Sequence, residues 1–252
     1  MSFVGNITVD NIKTTNFKSN STYNSILEHV SYEHGKEYLH LIETNYSNIE
    51  FSNVLDYFTL NDTYGYPNLY EYKNKTGTTF KCSSTSLRYV YHALLILEHY
   101  QKNTNQSIVE VGCGYGGLFL AICHFSTLLN INVKNYHIID LDPVCKLIAA
   151  YLDINKYNIT IEYKIHSSTA FGQDIDNEDM FFISNYCFTE LDTVYRNNYI
   201  INLLPKCSSG FIIWQTCFGY NIDEANELLT VTHIEEERPQ TSGIQKNYFV
   251  YF

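Results

Sequence analysis

The segment from Ser107 to Ile122, SIVEVGCGYGGLFLAI, constrains the fold of this chain more than any other part of the sequence. An apolar run typical of a buried strand reaches Glu110, a cluster of glycines follows, and a helical pattern of apolar residues begins at Gly117. Because glycine has no Cβ, its backbone tolerates positive φ and lets a ligand come close. The segment therefore predicts a strand, a ligand-binding turn and a helix, as at the start of a nucleotide-binding α/β domain.

The spacing of these glycines fits two ligand-binding patterns. Gly112, Gly114 and Gly117 satisfy G-x-G-x-x-G, the fingerprint of dinucleotide-binding domains. With Glu110 in front of them, and with Gly116, the first two of these glycines also satisfy the E-x-G-x-G pattern of enzymes that use S-adenosylmethionine (SAM). The glycines alone leave three alternatives: SAM, NAD(P), and a turn with a purely structural role.

The acidic residues at the ends of the first two predicted strands bear on this choice. Asp140 ends the second strand, where both classes of enzyme place an acid that binds a ribose, so it does not separate them. Glu110 favours SAM, because a carboxylate suits the cationic amino-acid end of SAM, directly or through water, and would repel a pyrophosphate. The chain from residue 107 onward also has the length of one methyltransferase domain. SAM is therefore the expected cofactor, with S-adenosylhomocysteine (SAH) as its product.

The pattern of apolar residues divides the chain into two regions. Residues 1–106 lack strong strand signals, show helical spacing from Ile26 onward, and end in a long predicted helix that begins at Ser84; we expect this region to be a helical cap that recognises the substrate. Residues 107–252 alternate between strands and helices. This alternation predicts an α/β, Rossmann-like fold with a seven-stranded, mostly parallel sheet, whose last two strands pair antiparallel at one edge. The predicted strands are 108–111, 135–139, 159–165, 180–184, 211–216, 231–235 and 246–252, and the predicted helices are 117–129, 143–153, 191–204 and 222–229.

Composition excludes several classes of partner. The net charge of −11 argues against nucleic acid, because a protein that binds a phosphate backbone normally carries a basic surface. No apolar run is long enough to predict a membrane span. The seven cysteines are scattered and form no C-x-x-C pair, which indicates reduced thiols and a cytoplasmic protein rather than a disulfide framework or a zinc ribbon. Whether the chain forms a homo-oligomer is left open.

Several blocks of the sequence resemble, in order, those of the sugar O-methyltransferases, which are class I SAM-dependent enzymes. The blocks are NDTYGYP, SLRYVYHALLIL, IVEVGCGYGGL, YHIIDLDPV, ISNYCFTEL and EEERPQT with NYFVYF, and they span about residues 61–252. Two features depart from the family: Cys113 stands where glycine or another small residue is common, and residues 1–60 match no part of it. The resemblance implies a class I methyltransferase fold and a sugar hydroxyl as acceptor, on a nucleotide-linked sugar or a glycan.

A sugar hydroxyl is a weak acid, so its methylation calls for a placed base or a metal ion. In FFISNYCFTELD the strand brings Asn185 to the carboxyl edge of the sheet, and Glu190 follows about one turn later. Glu190 is the predicted base, and its alternative role is to stabilise the start of helix 191–204 through the helix dipole. His166 is the second candidate, because the pKa of histidine lies near working pH; contact with adenine or exposure to solvent is its alternative.

Other residues are predicted to bind the cofactor or the acceptor because of where they lie along the chain. They stand beside the glycine loop, at the ends of predicted strands, or in loops expected at the same edge of the sheet. The predicted cofactor contacts are Arg88, Glu110, Gly112, Gly114, Tyr115, Gly116, Asp140, Leu141 and Asn185, and the predicted acceptor contacts are Asp62, Tyr89, Tyr186 and Glu237.

Three further alternatives concern the reaction itself. Asp142, Glu190 and Asp192 offer oxygen ligands that suit magnesium, but they form no dense carboxylate cluster in the sequence, so an essential metal ion is not expected. A SAM-dependent enzyme that methylates nitrogen or a small aromatic molecule would depend less on a general base. A non-catalytic SAM-fold subunit is a third alternative, against which the intact Glu110, glycine loop and Asp140 argue.

Overall fold

The computed structural model describes residues 3–27, 29–176, 179–216 and 219–252. Two features used in the sequence analysis, Cys217 and the side chain of Ile26, lie outside this description. The chain forms two compact units. The first comprises Met1–Leu95, Gly114–Phe125 and Lys146–Thr160, and the second comprises Ile96–Cys113, Ser126–Cys145 and Ile161–Phe252.

The first unit contains the N-terminal helices and one hairpin. Its elements are α1 (Ser21–Leu27), α2 (Tyr32–Asn45), α3 (Phe51–Asp62), β1 (Tyr70–Lys73), β2 (Thr79–Cys82) and most of α4 (Ser84–Tyr100). The predicted helix from Ser84 is confirmed. The hairpin corrects the expectation of a region without strands. Its tight turn is held by the Asn74 side chain, whose Oδ1 accepts hydrogen bonds from the backbone N–H groups of Thr76 and Thr78 at 3.1 and 2.8 Å.

The second unit contains a seven-stranded sheet. Its strands are β3 (Ser107–Val111), β4 (Asn135–Asp140), β5 (Glu162–Ser167), β6 (Met180–Asn185), β7 (Cys207–Gln215), β8 (His233–Glu236) and β9 (Asn247–Tyr251). Helices α7 (Thr193–Asn202) and α8 (Asp223–Leu228) belong to this unit, whereas most of α5 (Gly117–Leu129) and most of α6 (Asp142–Ile154) belong to the first unit. The strand order is β5-β4-β3-β6-β7-β9-β8, and only β9 runs antiparallel to its neighbours. This arrangement confirms the predicted Rossmann-like class I methyltransferase fold, including the antiparallel edge.

The sheet has a continuous apolar interior, which explains why its central strands are near-unbroken apolar runs. Every residue of β3 is buried, and β6 is buried up to its last residue. Helices α7 and α8 pack against the sheet through Tyr199, Leu203 and Ala225, which join the core around Phe182 and Trp214. The carboxyl ends of β3, β4, β6 and β7 lie at one edge, the position where open α/β sheets bind ligands.

Two strands begin three or more residues away from their predicted starts. β5 begins at Glu162 because a 3-10 turn, Lys156–Asn158, occupies the segment before it. β7 begins four residues early, at Cys207, directly after the 3-10 turn Leu204–Lys206 that contains Pro205. Among the described residues, no helix has both the length and the apolar character that a bilayer crossing requires.

Candidate active site

Glu110 is a buried carboxyl group in the central strand of the sheet. It is the penultimate residue of β3 and only 2% exposed. Burial raises its pKa, which the hydrogen bonds from Cys113 and Tyr136 only partly counteract, so that the pKa of Glu110 is about 7. Both hydrogen bonds reach Oε2, from the Cys113 thiol at 2.5 Å and the Tyr136 hydroxyl at 2.7 Å. This arrangement leaves Oε1 to accept a hydrogen bond from a ligand.

The turn after β3 has a backbone that only glycine adopts readily. Gly112, Gly114 and Gly116 have φ values of 84°, 62° and 92°. Gly112 is also required by packing, because a Cβ there would lie 2.3 Å from the Cβ of Cys187, in the loop after β6. The turn is therefore held close to the neighbouring strand end, and the glycine at position 112 has a structural reason in addition to any role in ligand binding.

Asp140 is the last residue of β4, the strand next to β3, and Leu141 follows it. Asp140 is partly exposed, and its Oδ1 accepts a hydrogen bond from the Leu141 backbone N–H at 2.8 Å. Leu141 is 44% exposed, which is unusual for a large apolar side chain at a strand end. A polar acid next to an exposed apolar residue offers one group for a ribose and one for a flat aromatic base.

His166 is not exposed at the sheet edge but belongs to a chain of three titratable groups, in which His137 and His166 are buried and Asp174 is exposed. It is 2% exposed; its Nε2 lies 3.0 Å from Nδ1 of His137, and its Nδ1 lies 2.6 Å from Oδ2 of Asp174. Burial favours a higher pKa for Asp174, but the hydrogen bond and the charge of His166 outweigh it and lower the pKa of Asp174. Both ring nitrogens of His166 are therefore engaged, which favours a structural role over proton transfer to an acceptor.

The loop after β6 is fixed by Ser184. Its hydroxyl donates to the carbonyl oxygen of Val111 at 2.9 Å and accepts a hydrogen bond from the backbone N–H of Phe188 at 3.0 Å. The first residue of this loop, Tyr186, has a φ of 63°, which is rare for a residue with a large side chain. Asn185 and Tyr186 are both partly exposed, so this loop presents two polar side chains at the carboxyl edge.

Glu190 is oriented by a residue that the sequence analysis missed, Gln215 at the end of β7. The Gln215 side-chain Nε2 donates to Oε1 of Glu190 at 3.1 Å, and its Oε1 accepts from the Thr189 hydroxyl at 3.3 Å. Desolvation raises the pKa of Glu190, and the hydrogen bond from Gln215 counteracts part of this rise. No sequence signal links Glu190 to Gln215, because the pair depends on β6 and β7 being neighbours in the sheet.

The start of α7 is capped by Asp192, not by Glu190. Asp192 Oδ1 accepts hydrogen bonds from the backbone N–H groups of Val194 and Tyr195 at 3.0 and 3.1 Å. Because the cap position is taken, the alternative role of Glu190 as the stabiliser of this helix is weakened. The described residues contain no group of three or more His, Cys, Asp or Glu side chains placed to hold a metal ion.

Glu237 has contacts that differ from those expected of an acceptor-binding residue. It is 2% exposed and accepts hydrogen bonds from the Tyr186 hydroxyl, the Thr241 backbone N–H at 2.9 Å and the Asn247 side chain at 3.0 Å. The carboxylate thus joins the segment after β8 to the loop after β6. Glu237 is placed to position Tyr186.

Replacing Glu237 by glutamine should destabilise the protein by about 1–3 kcal/mol. One carboxylate oxygen would become an NH₂ group, which cannot accept the hydrogen bonds that Tyr186, Thr241 and Asn247 donate to Glu237. Glu236→Gln is the matched control, since Glu236 pairs with Lys246 at the surface, both side chains being about half exposed, and should cost well under about 1 kcal/mol. Urea denaturation measures both changes. Equal losses in the two variants would contradict the assigned role of Glu237.

Six of the predicted site residues lie in the first unit: Asp62, Arg88, Tyr89, Gly114, Tyr115 and Gly116. Asp62 accepts hydrogen bonds from the backbone N–H and hydroxyl of Ser83 at 2.7 and 2.8 Å and from the Ser86 hydroxyl at 2.7 Å, so its carboxylate supports the start of α4. Arg88 is 4% exposed, and its guanidinium lies 5.6 Å from the ring centroid of Tyr89. These hydrogen bonds and this cation–π contact stabilise the start of α4.

Tyr115, predicted as a cofactor contact, is fully buried in the first unit. Its ring centroid lies 5.1 Å from that of Tyr151, 5.6 Å from that of Phe17 and 5.8 Å from that of Tyr89. The Lys18 ammonium lies 4.5 Å from the Tyr115 ring centroid. The Tyr115 side chain is thus enclosed by aromatic and cationic neighbours of its own unit.

Comparison with known proteins yields similarity of fold only. Neither a protein-family model nor a curated protein matches the sequence. Magnesium protoporphyrin IX methyltransferase from Synechocystis PCC 6803, with bound SAM, has a TM-score of 0.47 and 9% identity over 65% of this chain and 77% of that chain. The glycopeptide N-methyltransferase MtfA, complexed with sinefungin, has a TM-score of 0.47 and 9% identity over 64% of this chain and 85% of its own. M. capricolum TrmK, in complex with SAH, has a TM-score of 0.43 and 12% identity over 65% of this chain and 66% of its own.

Proposed function

We propose that this protein is a SAM-dependent O-methyltransferase whose acceptor is a hydroxyl group of a sugar, on a nucleotide-linked sugar or a glycan. The observation that carries the proposal is the buried Glu110 carboxyl group, whose hydrogen bonds from Cys113 and Tyr136 both reach Oε2, and which lies one strand away from the strand that ends at Asp140. The sugar acceptor is supported by the blocks of sequence that resemble sugar O-methyltransferases. The fold and the strand-end residues support the methyltransferase class.

The residues at the ends of β3 and β4 fit SAM. Glu110 would accept a hydrogen bond from the ammonium group of the cofactor, and the carboxylate of Asp140 would bind the ribose hydroxyls. The exposed Leu141 would cover the adenine. When bound, SAM supplies a methyl group on a positively charged sulfur. Roles for Arg88, Gly114, Tyr115 and Gly116 in holding it remain predictions from the sequence pattern.

Glu190 is the proposed general base. A general base becomes stronger as its pKa rises, provided that it stays deprotonated at working pH, so the raised pKa of Glu190 makes its carboxylate a more effective base. Gln215 fixes the carboxylate through one oxygen, which leaves the other to accept the proton of the acceptor hydroxyl. Tyr186, in the same loop, would hold the acceptor, Asn185 at the end of β6 would contact the cofactor, and Glu237 would hold Tyr186.

Isothermal titration calorimetry tests whether the protein binds SAM and SAH. SAM and SAH should bind to the wild-type protein, and Asp140→Ala should weaken the binding by about 10- to 100-fold, because the ribose would lose charge-assisted hydrogen bonds. Asp10→Ala is the control, since Asp10 is exposed and distant in sequence from the strand ends, and should bind like the wild type. Binding of NAD(P) without SAM would refute the proposal.

The acceptor is identified by mass spectrometry of products after incubation with SAM. The panel contains nucleotide sugars and short glycans, together with aromatic hydroxyl compounds and amines. Methylation of a sugar hydroxyl is the expected result. Methylation of amines or aromatic compounds alone would refute the sugar as acceptor, and SAM binding without transfer to any member would favour a non-catalytic subunit.

A further inference from the structure

The second unit buries an arginine whose guanidinium is only partly satisfied by hydrogen bonds. Arg196, on α7, is 7% exposed, and its guanidinium carbon lies 3.3 Å from the ring centroid of Tyr220. Its Nη2 donates to Oε2 of Glu224 at 3.4 Å. Its Nε and Nη1 are buried and have no hydrogen-bond partner. This is an incomplete environment for a group that carries five N–H donors.

These contacts are poor by the standards of a guanidinium. Charge-assisted N–H···O bonds to carboxylates usually measure about 2.7–2.9 Å, well below the 3.4 Å to Glu224. The Tyr220 ring stabilises the face of the cation but accepts nothing in the plane of its N–H groups. Buried N–H donors without an acceptor are costly, so the environment is one that an in-plane oxyanion would complete.

The position of Arg196 connects it to the proposed base. The hydroxyl of Tyr220, whose ring stacks on the guanidinium, donates to the backbone carbonyl of Leu191 at 3.0 Å. Leu191 directly follows Glu190 in the chain. One aromatic ring therefore bridges the guanidinium and the segment that carries Glu190.

Two lysines of the same unit are already engaged. Lys206 donates its ammonium to the carbonyl oxygens of Gly172 and Ile175, and Lys246 pairs with Glu236 at the surface. Arg196 has two idle donors in a protein with a net charge of −11. An anion that approaches this unit would be repelled by most of its surface, so a dedicated cation is needed to bind it.

We propose that the Arg196 guanidinium binds an oxyanion of the acceptor, a carboxylate or a phosphate, which takes the place of the Glu224 carboxylate. Glu224 is suited to being displaced, because its side chain is 30% exposed and its Oε1 also accepts a hydrogen bond from the Asn221 backbone at 3.1 Å. The acceptor would then be an acidic or phosphorylated sugar. This assignment of substrate class rests on the proposed function, whereas the anion site itself does not.

The test is a calorimetric titration of the full-length protein with inorganic phosphate, with glucuronate and with uncharged glucose. We expect saturable binding of phosphate or glucuronate but not of glucose. Tighter binding of phosphate would identify a phosphate group as the oxyanion that Arg196 recognises, and tighter binding of glucuronate would identify a carboxylate. Glu224→Gln should tighten this binding several-fold because it removes the competing carboxylate. Arg196→Gln should weaken it by about 10- to 100-fold, and Arg196→Lys should fall between, because lysine keeps the charge without the planar fork.

The Glu224→Gln variant keeps the proposal testable even if the arginine variants fail to fold, which circular dichroism would reveal. Absence of saturable anion binding in both the wild type and Glu224→Gln would overturn the anion site, and so would unchanged binding in a folded Arg196→Gln. SAM titrations of the same samples separate the two proposals. Anion binding without SAM binding would refute the methyltransferase function and the acceptor assignment but not the anion site. SAM binding without anion binding would refute only the anion site.

Discussion

Replacing Glu190 by glutamine is expected to lower kcat by about 10²–10⁴-fold while leaving the affinity for SAM nearly unchanged. Glutamine keeps the shape of the side chain and its hydrogen-bonding position beside Gln215 but cannot take a proton from a hydroxyl group. The wild-type rate should fall as pH decreases through the raised pKa of Glu190, since the base is then protonated. This dependence should disappear in the variant, and steady-state kinetics with the acceptor found in the product screen measures both effects.

Glu162→Gln is the matched control for this experiment. Glu162 is exposed at the amino end of β5, the opposite end of the sheet strands from the proposed site, so its loss should leave kcat unchanged. His166→Ala tests the rival base: we expect it to lower stability more than rate, because His166 is buried between His137 and Asp174. The proposal is wrong if Glu190→Gln retains more than about half of the wild-type kcat while His166→Ala or a chelator abolishes turnover. Glu190 would then not be the group that takes the proton.

The three central strands β3, β4 and β6 were predictable because they are buried and parallel. β3, β4 and β6 are apolar runs bounded by polar or glycine residues, and each begins and ends within one residue of the predicted bounds. The hairpin β1–β2 escaped prediction because its strands are short and half-exposed, and its turn depends on hydrogen bonds that the Asn74 side chain accepts from the backbone. Apolar periodicity carries no signal for a strand of that kind.

The positions of acidic residues near strand ends can be read from the sequence, as at Glu110 and Asp140, but their hydrogen-bond partners cannot. The hydrogen bond from Tyr136 to Glu110 joins β4 to β3, and the one from Gln215 to Glu190 joins β7 to the loop after β6, so both follow from the strand order. The contact of Glu237 with Tyr186 links residues 51 positions apart, after β8 and β6, and also depends on the arrangement of the strands.

Replacing Glu110 by glutamine is expected to stabilise the ligand-free protein at pH 8 and to destabilise it slightly at pH 5. Burial raises the pKa of Glu110 from 4.5 to about 7, so the buried carboxyl group favours folding while it is protonated. That contribution is complete below the unfolded pKa and is lost as pH rises through 7, a loss of about 3 kcal/mol. Glutamine avoids this loss but forfeits about 1 kcal/mol of hydrogen bonding to Cys113 and Tyr136. Urea denaturation of both proteins at pH 5 and pH 8 measures the difference, and a difference that does not change with pH would contradict the raised pKa.

The same substitution is expected to weaken SAM binding by about 10- to 100-fold at pH 7.5, because an ammonium group would lose a buried anionic partner. In the wild type, SAM affinity should fall as pH decreases below 7, by about tenfold per pH unit, since binding the ammonium requires Glu110 to release its proton. The amino group of SAM remains protonated throughout this range, so the change belongs to the protein. Glu162→Gln should show the wild-type pH dependence, whereas Glu110→Gln should show none. If Glu110→Gln keeps both its affinity within about twofold and the wild-type pH dependence, the ammonium is bound elsewhere, and Glu110 serves only the packing of the strand.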